Sequence, residues 1–198
     1  MSDILCVTNR SLCAEDFLTR IEKTAKAHPR AIILREKDLS EEEYTAIAKK
    51  VLEICKKENT PCILHSFVNS AKSLDSKAIH LPLNILRSLT SEEKSYFDTI
   101  GASCHSISDA EEAQKLGCTY ITAGHIFDTS CKAGLPGRGL DFLKDICKSV
   151  SVPVYAIGGI APENIKEIRK CKAAGACVMS GAMTCGNSKN YFAAFEEN

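Results

Sequence analysis

The chain has 198 residues with 25 basic and 25 acidic side chains, so formal charge is zero and no overall field draws it to nucleic acid or an anionic membrane. That length can bury roughly 70% of the unfolded surface in one core, and a single domain over 1–198 is expected. Eleven cysteines, an odd number with no C-x-x-C pair, no apolar run of 18 residues and no signal-peptide pattern argue against zinc and disulfide scaffolds and for a reducing, cytoplasmic setting.

Apolar runs of strand length recur in chain order at Ile4–Val7, Ala31–Leu34, Cys62–Leu64, Ala78–Leu81, Ile100–Ser103, Tyr120–Thr122, Val152–Ile157 and Ala176–Met179. Helical spacing fills most of the gaps. After the second run, Ser40 and Glu43 form a capping box before Tyr44, Ile47, Val51 and Ile54, and 108–116, 141–150, 162–171 and 190–195 read similarly. Eight strands apolar on both faces, alternating with amphipathic helices, predict a parallel sheet closed as a compact (β/α)8 TIM barrel of the α/β class. An open doubly wound sheet is the alternative. The weak unit follows His80, where residues 82–90 are short for a full helix.

Barrel enzymes carry their chemistry at the C-terminal ends of strands. There the sequence places Arg35, Glu36 and Lys37, then His65, His80, Ser103 and His105, the stretch from Gly124 to Lys132, and finally the pairs Gly158-Gly159 and Ser180-Gly181. Gly158 and Gly159 allow backbone N–H groups to approach an anion at the start of a helix, and Ser180 and Gly181 add a second set, so these four are the candidate phosphate site. Arg35 and Lys37 suit a carboxylate or second phosphate, or else form a solvated strand end paired with Glu36. Lys132 reads either as a ligand cation or as part of a surface loop. His125, between Gly124 and a glycine-rich loop, is the candidate acid/base, because imidazole exchanges protons near neutrality. His65, His80 and His105 read as satisfied rim or core histidines, and Cys131, beside Lys132, as a bystander thiol.

The strings LREK from Leu34, IGASCHSISDAEEAQKLGCTYITAGHIFDTSCK from Ile100, PVYAIGGIAPENI from Pro153 and GACVMSGAM from Gly175 resemble the thiamine phosphate synthase superfamily over nearly the whole chain. That superfamily contains the synthase, which joins a pyrimidine pyrophosphate to a thiazole phosphate with Mg²⁺, and thiazole tautomerase, which aromatises a carboxythiazole phosphate. The synthase carries an Asn-Asp-Arg motif after its third strand and His-x-Gly-Gln-Glu-Asp after its fourth. Here those places read His65-Ser66-Phe67 and His80-Leu81-Pro82-Leu83-Asn84-Ile85, without the metal-binding carboxylates. Gly124-His125 instead resembles the tautomerase (TenI-like) branch, where the histidine is the acid/base and the synthase has proline.

The resemblance therefore implies a metal-free isomerase with His125 catalytic, Arg35, Lys37, Ser103 and Lys132 on the substrate, and Gly158, Gly159, Ser180 and Gly181 on its phosphate. No cofactor is implied, and Mg²⁺ belongs only to the synthase alternative. A further alternative is a non-catalytic binder of thiazole or thiamine phosphates with a regulatory role. The implied partner is a small thiazole phosphate, with no nucleic acid and no membrane, and with a homo-oligomer left open.

Overall fold

A computed structural model describes residues 3–129 and 134–197. Its eight strands form a closed barrel in the order β1 to β8, and the pairs β1–β2, β2–β3, β5–β6, β6–β7 and β7–β8 are parallel, so the barrel reading holds and the open sheet does not. No described helix is long and apolar enough to cross a membrane. Contacts within the chain group into two compact units, one containing described residues up to 79 and from 178 onward, the other residues 80–177.

The first unit opens with β1 (Ile4–Val7), α1 (Phe17–Ala25) and β2 (Ala31–Leu34), followed by α2 (Glu41–Lys57), β3 (Cys62–His65) and α3 (Val68–Ser73). Every residue of β1 and β2 is buried, as a strand covered on both faces requires. The α2 capping box forms as expected: Glu43 N–H donates to Ser40 Oγ at 3.2 Å, and Ser40 N–H donates to Glu43 Oε2 at 2.9 Å. Its buried stripe is Tyr44, Ala48, Val51 and Cys55. Ile47 and Ile54, the other two residues of the apolar spacing, lie half-buried beside this stripe, which the small Ala48 and Cys55 complete. The same unit closes with α9 (Ser180–Thr184) and α10 (Ser188–Glu197).

The second unit takes up β4 (Ala78–Pro82) from His80 and continues through α4 (Leu83–Ser88), α5 (Ser91–Tyr96), β5 (Thr99–Cys104) and α6 (Ile107–Lys115). It then runs through β6 (Tyr120–Gly124), α7 (Gly139–Ser149), β7 (Val154–Ile157) and α8 (Ile165–Lys170) toward β8 (Gly175–Val178). The short unit after His80 is resolved by two helices, the second begun by a capping box between Thr90 and Glu93. Strand β7 starts two residues later than the apolar run, because Gln114 Oε1 accepts the N–H groups of Ser151 and Val152 before the ladder begins. Similarly, the predicted helix 162–171 divides into a 3-10 turn at Pro162–Asn164 and the shorter α8. Six of the ten described cysteines are buried and four half-buried, and burial raises the thiol pKa of Cys104 to about 12 and of Cys118 to about 11. Cys131 lies outside the described residues.

Candidate active site

His125 follows the last residue of β6 and is held by backbone bonds on both sides. Ile126 N–H donates to Ile157 C=O at 2.9 Å and Phe127 N–H to Gly158 C=O at 3.0 Å, lacing the segment to the end of β7. Arg138 N–H donates to His125 C=O at 3.0 Å, and Asp128 Oδ1 accepts Gly137 N–H at 2.7 Å. The residue is 7% exposed. Its Nε2 lies 3.2 Å from Leu135 C=O, and a carbonyl only accepts, so Nε2 carries the proton. Nδ1, the other ring nitrogen, is buried with no partner among the described residues. An unpaired buried ring nitrogen of this kind calls for an explanation, and a bound ligand would supply one.

Gly158 and Gly159 belong to this arrangement for a reason that spacing did not show. Gly158 has φ +103°, and a Cβ there would stand 2.4 Å from His125 Cβ and 2.8 Å from its Cα. Gly159, at φ +66°, would meet Asp128 C=O at 2.5 Å and Phe127 Cβ at 2.7 Å. Both glycines therefore make room for the histidine segment. Their own N–H groups have no acceptor among the described residues, and Asn164 Nδ2 fixes the turn by donating to Gly159 C=O at 2.9 Å.

On β5, Ser103 Oγ lies 2.8 Å from His80 Nε2, and His80 Nδ1 lies 2.9 Å from the Tyr120 hydroxyl. His105 donates from Nδ1 to Gly124 C=O at 3.1 Å, tying the end of β5 to the residue before His125. The second unit thus brings together His125, Gly158 and Gly159, with Ser103 at the end of its own strand. Lys132 lies outside the described residues.

In the first unit, Arg35 is half-buried and Lys37 exposed, each without an ion-pair partner among the described residues. The expected pairing with Glu36 does not occur. Glu36 is 2% exposed and turns inward to accept from Thr8 Oγ1 at 2.6 Å, from Arg10 N–H at 3.1 Å and from Arg10 Nη1 at 3.3 Å. Replacing Glu36 by alanine strands those donors, and a stability loss of about 2–3 kcal/mol is expected in urea unfolding. The two cations of this turn are left to a ligand or to solvent. Ser180 is exposed at the start of α9, and Gly181 is required where a Cβ would meet the Tyr191 hydroxyl at 2.3 Å.

Burial, and then the charges of Arg35 and Lys37, lower the His65 pKa from 6.5 to about 4. His65 is therefore neutral in the folded chain at neutral pH. The unfolded chain takes up its proton near pH 6.5 and the folded chain only near pH 4, so stability is full above the first value and falls as pH drops toward the second. By about pH 5 the loss is roughly 2 kcal/mol, and a His65→Gln variant is expected to lack that part of the acid destabilisation in urea titrations.

The model of the thiamine monophosphate synthase family matches residues 4–182. The chain belongs to this family. Thiamine-phosphate synthase of Methanobrevibacter smithii is 35% identical over 92% of the chain and 88% of its own length, and that of Fusobacterium nucleatum is 33% identical over 91% and 89%. Thiamine phosphate pyrophosphorylase from Pyrococcus furiosus superposes with a TM-score of 0.83 at 25% identity, covering 98% of this chain and 93% of that one. Membership makes the chain an enzyme of thiamine biosynthesis with small phosphorylated substrates.

Within the thiamine monophosphate synthase family, the Mg²⁺ that the resemblance attaches to the synthase calls for carboxylates after β3 and β4. This chain offers imidazole, hydroxyl and apolar groups and one amide, Asn84, but no carboxylate there, and among the described residues no three His, Cys, Asp or Glu side chains are grouped so as to hold a metal ion. Asp38 is engaged by a two-point bond from Arg10, with both distances 2.7 Å, which holds its carboxyl below the usual range. Asp128 caps Gly137. Asp141, the third carboxylate available for such an ion, accepts from Lys144 Nζ at 2.9 Å.

Proposed function

We propose that this family member is a thiazole tautomerase, aromatising a carboxythiazole phosphate by proton transfer at His125. The observation that carries the reading is the histidine itself: its Nε2 is committed to Leu135 C=O, which leaves Nδ1 as an unpartnered, buried base among the described residues. In this scheme Nδ1 removes the proton from the ring carbon bearing the carboxylate. The electron pair moves through the ring to the exocyclic carbon, which takes the proton back from the imidazolium. No atom is gained or lost, and aromaticity supplies the driving force. The open N–H groups of Gly158 and Gly159 support a phosphate at the same loop. Arg35, Lys37, Lys132, Ser180 and Gly181 remain proposed ligand contacts, and the cytoplasm the proposed compartment.

The names of the relatives favour a second reading, coupling of a pyrimidine pyrophosphate to a thiazole phosphate, and on names alone it is the better supported of the two. The donor set weighs against it in this chain. Mixing the protein with the non-aromatic carboxythiazole phosphate in the presence of a chelator, and following the ultraviolet absorbance of the aromatic ring, tests the first reading. A rate above the uncatalysed one is expected, and equality with it would refute the assignment.

A further inference from the structure

A chain of hydrogen bonds in the second unit ends on Ser103. The Tyr120 hydroxyl stands 2.9 Å from His80 Nδ1, His80 Nε2 stands 2.8 Å from Ser103 Oγ, and Thr122 Oγ1 lies at 3.4 Å from the same nitrogen. Strand alternation places Tyr120 and Thr122 on one side of β6, and Gly101 and Ser103 on one side of β5. Gly101 supplies the space, since a Cβ there would come within 2.2 Å of the Tyr120 ring and 2.3 Å of His80 Nδ1.

A Ser–His pair at 2.8 Å is often the mark of an activated nucleophile, in which the ring accepts the hydroxyl proton. Here the phenol on the other ring nitrogen reverses that polarity. Tyr120 is buried, and burial pushes its pKa well above the ordinary value, so it stays protonated. A buried hydroxyl without an acceptor is costly, and His80 Nδ1 is the acceptor within reach among the described residues. With Nδ1 accepting, the neutral imidazole carries its proton on Nε2 and donates to Ser103 Oγ. The Ser103 proton is then left without an acceptor among the described residues, on a half-buried side chain near the C-terminal end of β5.

We propose that Tyr120 and His80 are positioning residues that fix Ser103 as a hydrogen-bond donor to an acceptor atom of the bound heterocycle. The ligand in this statement rests on the proposed function; the order of the hydrogen bonds does not. Long-range ¹H–¹⁵N spectra of histidine-labelled protein, with His80 assigned through His80→Gln, are expected to show the Nε2–H form. The Nδ1–H form would overturn the inference.

Calorimetry with the aromatic carboxythiazole phosphate then reads the donor role. Ser103→Ala is expected to weaken binding about fivefold, Tyr120→Phe about twofold, and the double variant no more than Ser103→Ala alone. Losses that multiply in the double variant would show that Tyr120 acts independently of Ser103 and would overturn the relay. Wild-type protein that shows Nε2–H but does not bind the probe would overturn the ligand assignment and leave the hydrogen-bond order standing.

Discussion

Replacement of His125 by asparagine is expected to lower the tautomerisation rate by about 10²–10⁴-fold, the usual contribution of a general acid–base group, while binding of the aromatic product persists. Asparagine ends one atom short of Nε2 and gives up the bond to Leu135 C=O, but the backbone bonds of Ile126, Phe127 and Arg138 still anchor the segment. What it cannot do is take a proton from carbon and return it. The separation between rate and binding is the informative feature, because a folding defect would remove both. Steady-state rates for the non-aromatic substrate and calorimetry with the product measure the two quantities. Turnover close to wild type in the asparagine variant would remove His125 from the mechanism.

The second large effect is expected at Gly158, where an added methyl would meet His125 itself. Alanine there must hold φ near +103° and place its methyl 2.4 Å from His125 Cβ. The backbone conformation alone costs about 1–3 kcal/mol for an L residue, and the overlap adds a similar amount or moves His125. Displacing a reacting group by about 1 Å can cost about 10²-fold in rate, so Gly158→Ala is expected to lose both stability and turnover. Gly117 provides the control. It has φ +92°, but a methyl added there would meet nothing within 4 Å, so Gly117→Ala bears the backbone strain alone and keeps its turnover. Urea unfolding and initial rates on the two variants distinguish seating of His125 from simple loss of stability. Equal rate losses in both would contradict the proposed packing role.

How much of this was legible in the sequence depends on the range of the interaction. The barrel was legible because strands buried on both faces are apolar throughout, and β1, β2 and β8 are fully buried. The Ser40–Glu43 box was legible because both partners lie within one turn. On α2 the apolar spacing identifies Tyr44 and Val51 of the buried stripe, but not Ala48 and Cys55, whose small side chains carry little signal beside Ile47 and Ile54. Longer-range choices were hidden. Glu36 sits between two cations in sequence yet takes its donors from Thr8 and Arg10, and nothing local announces that. Gly158 reads as a phosphate glycine from its spacing, but its packing against His125, brought beside it by the β6–β7 pairing, has no local signal. The alternation in β5 and β6 was present in the string, but the Tyr120–His80–Ser103 chain also needs β4 beside them.

Placing the two family reactions side by side on one preparation tests the central claim most directly. Purified protein would be given the non-aromatic carboxythiazole phosphate with a chelator and, separately, a pyrimidine pyrophosphate and a thiazole phosphate with Mg²⁺. The account predicts His125-dependent aromatisation in the first mixture and no coupled product above background in the second. Coupling at an enzymatic rate, with aromatisation no faster than the uncatalysed reaction, would contradict it and assign this chain the activity for which its relatives are named.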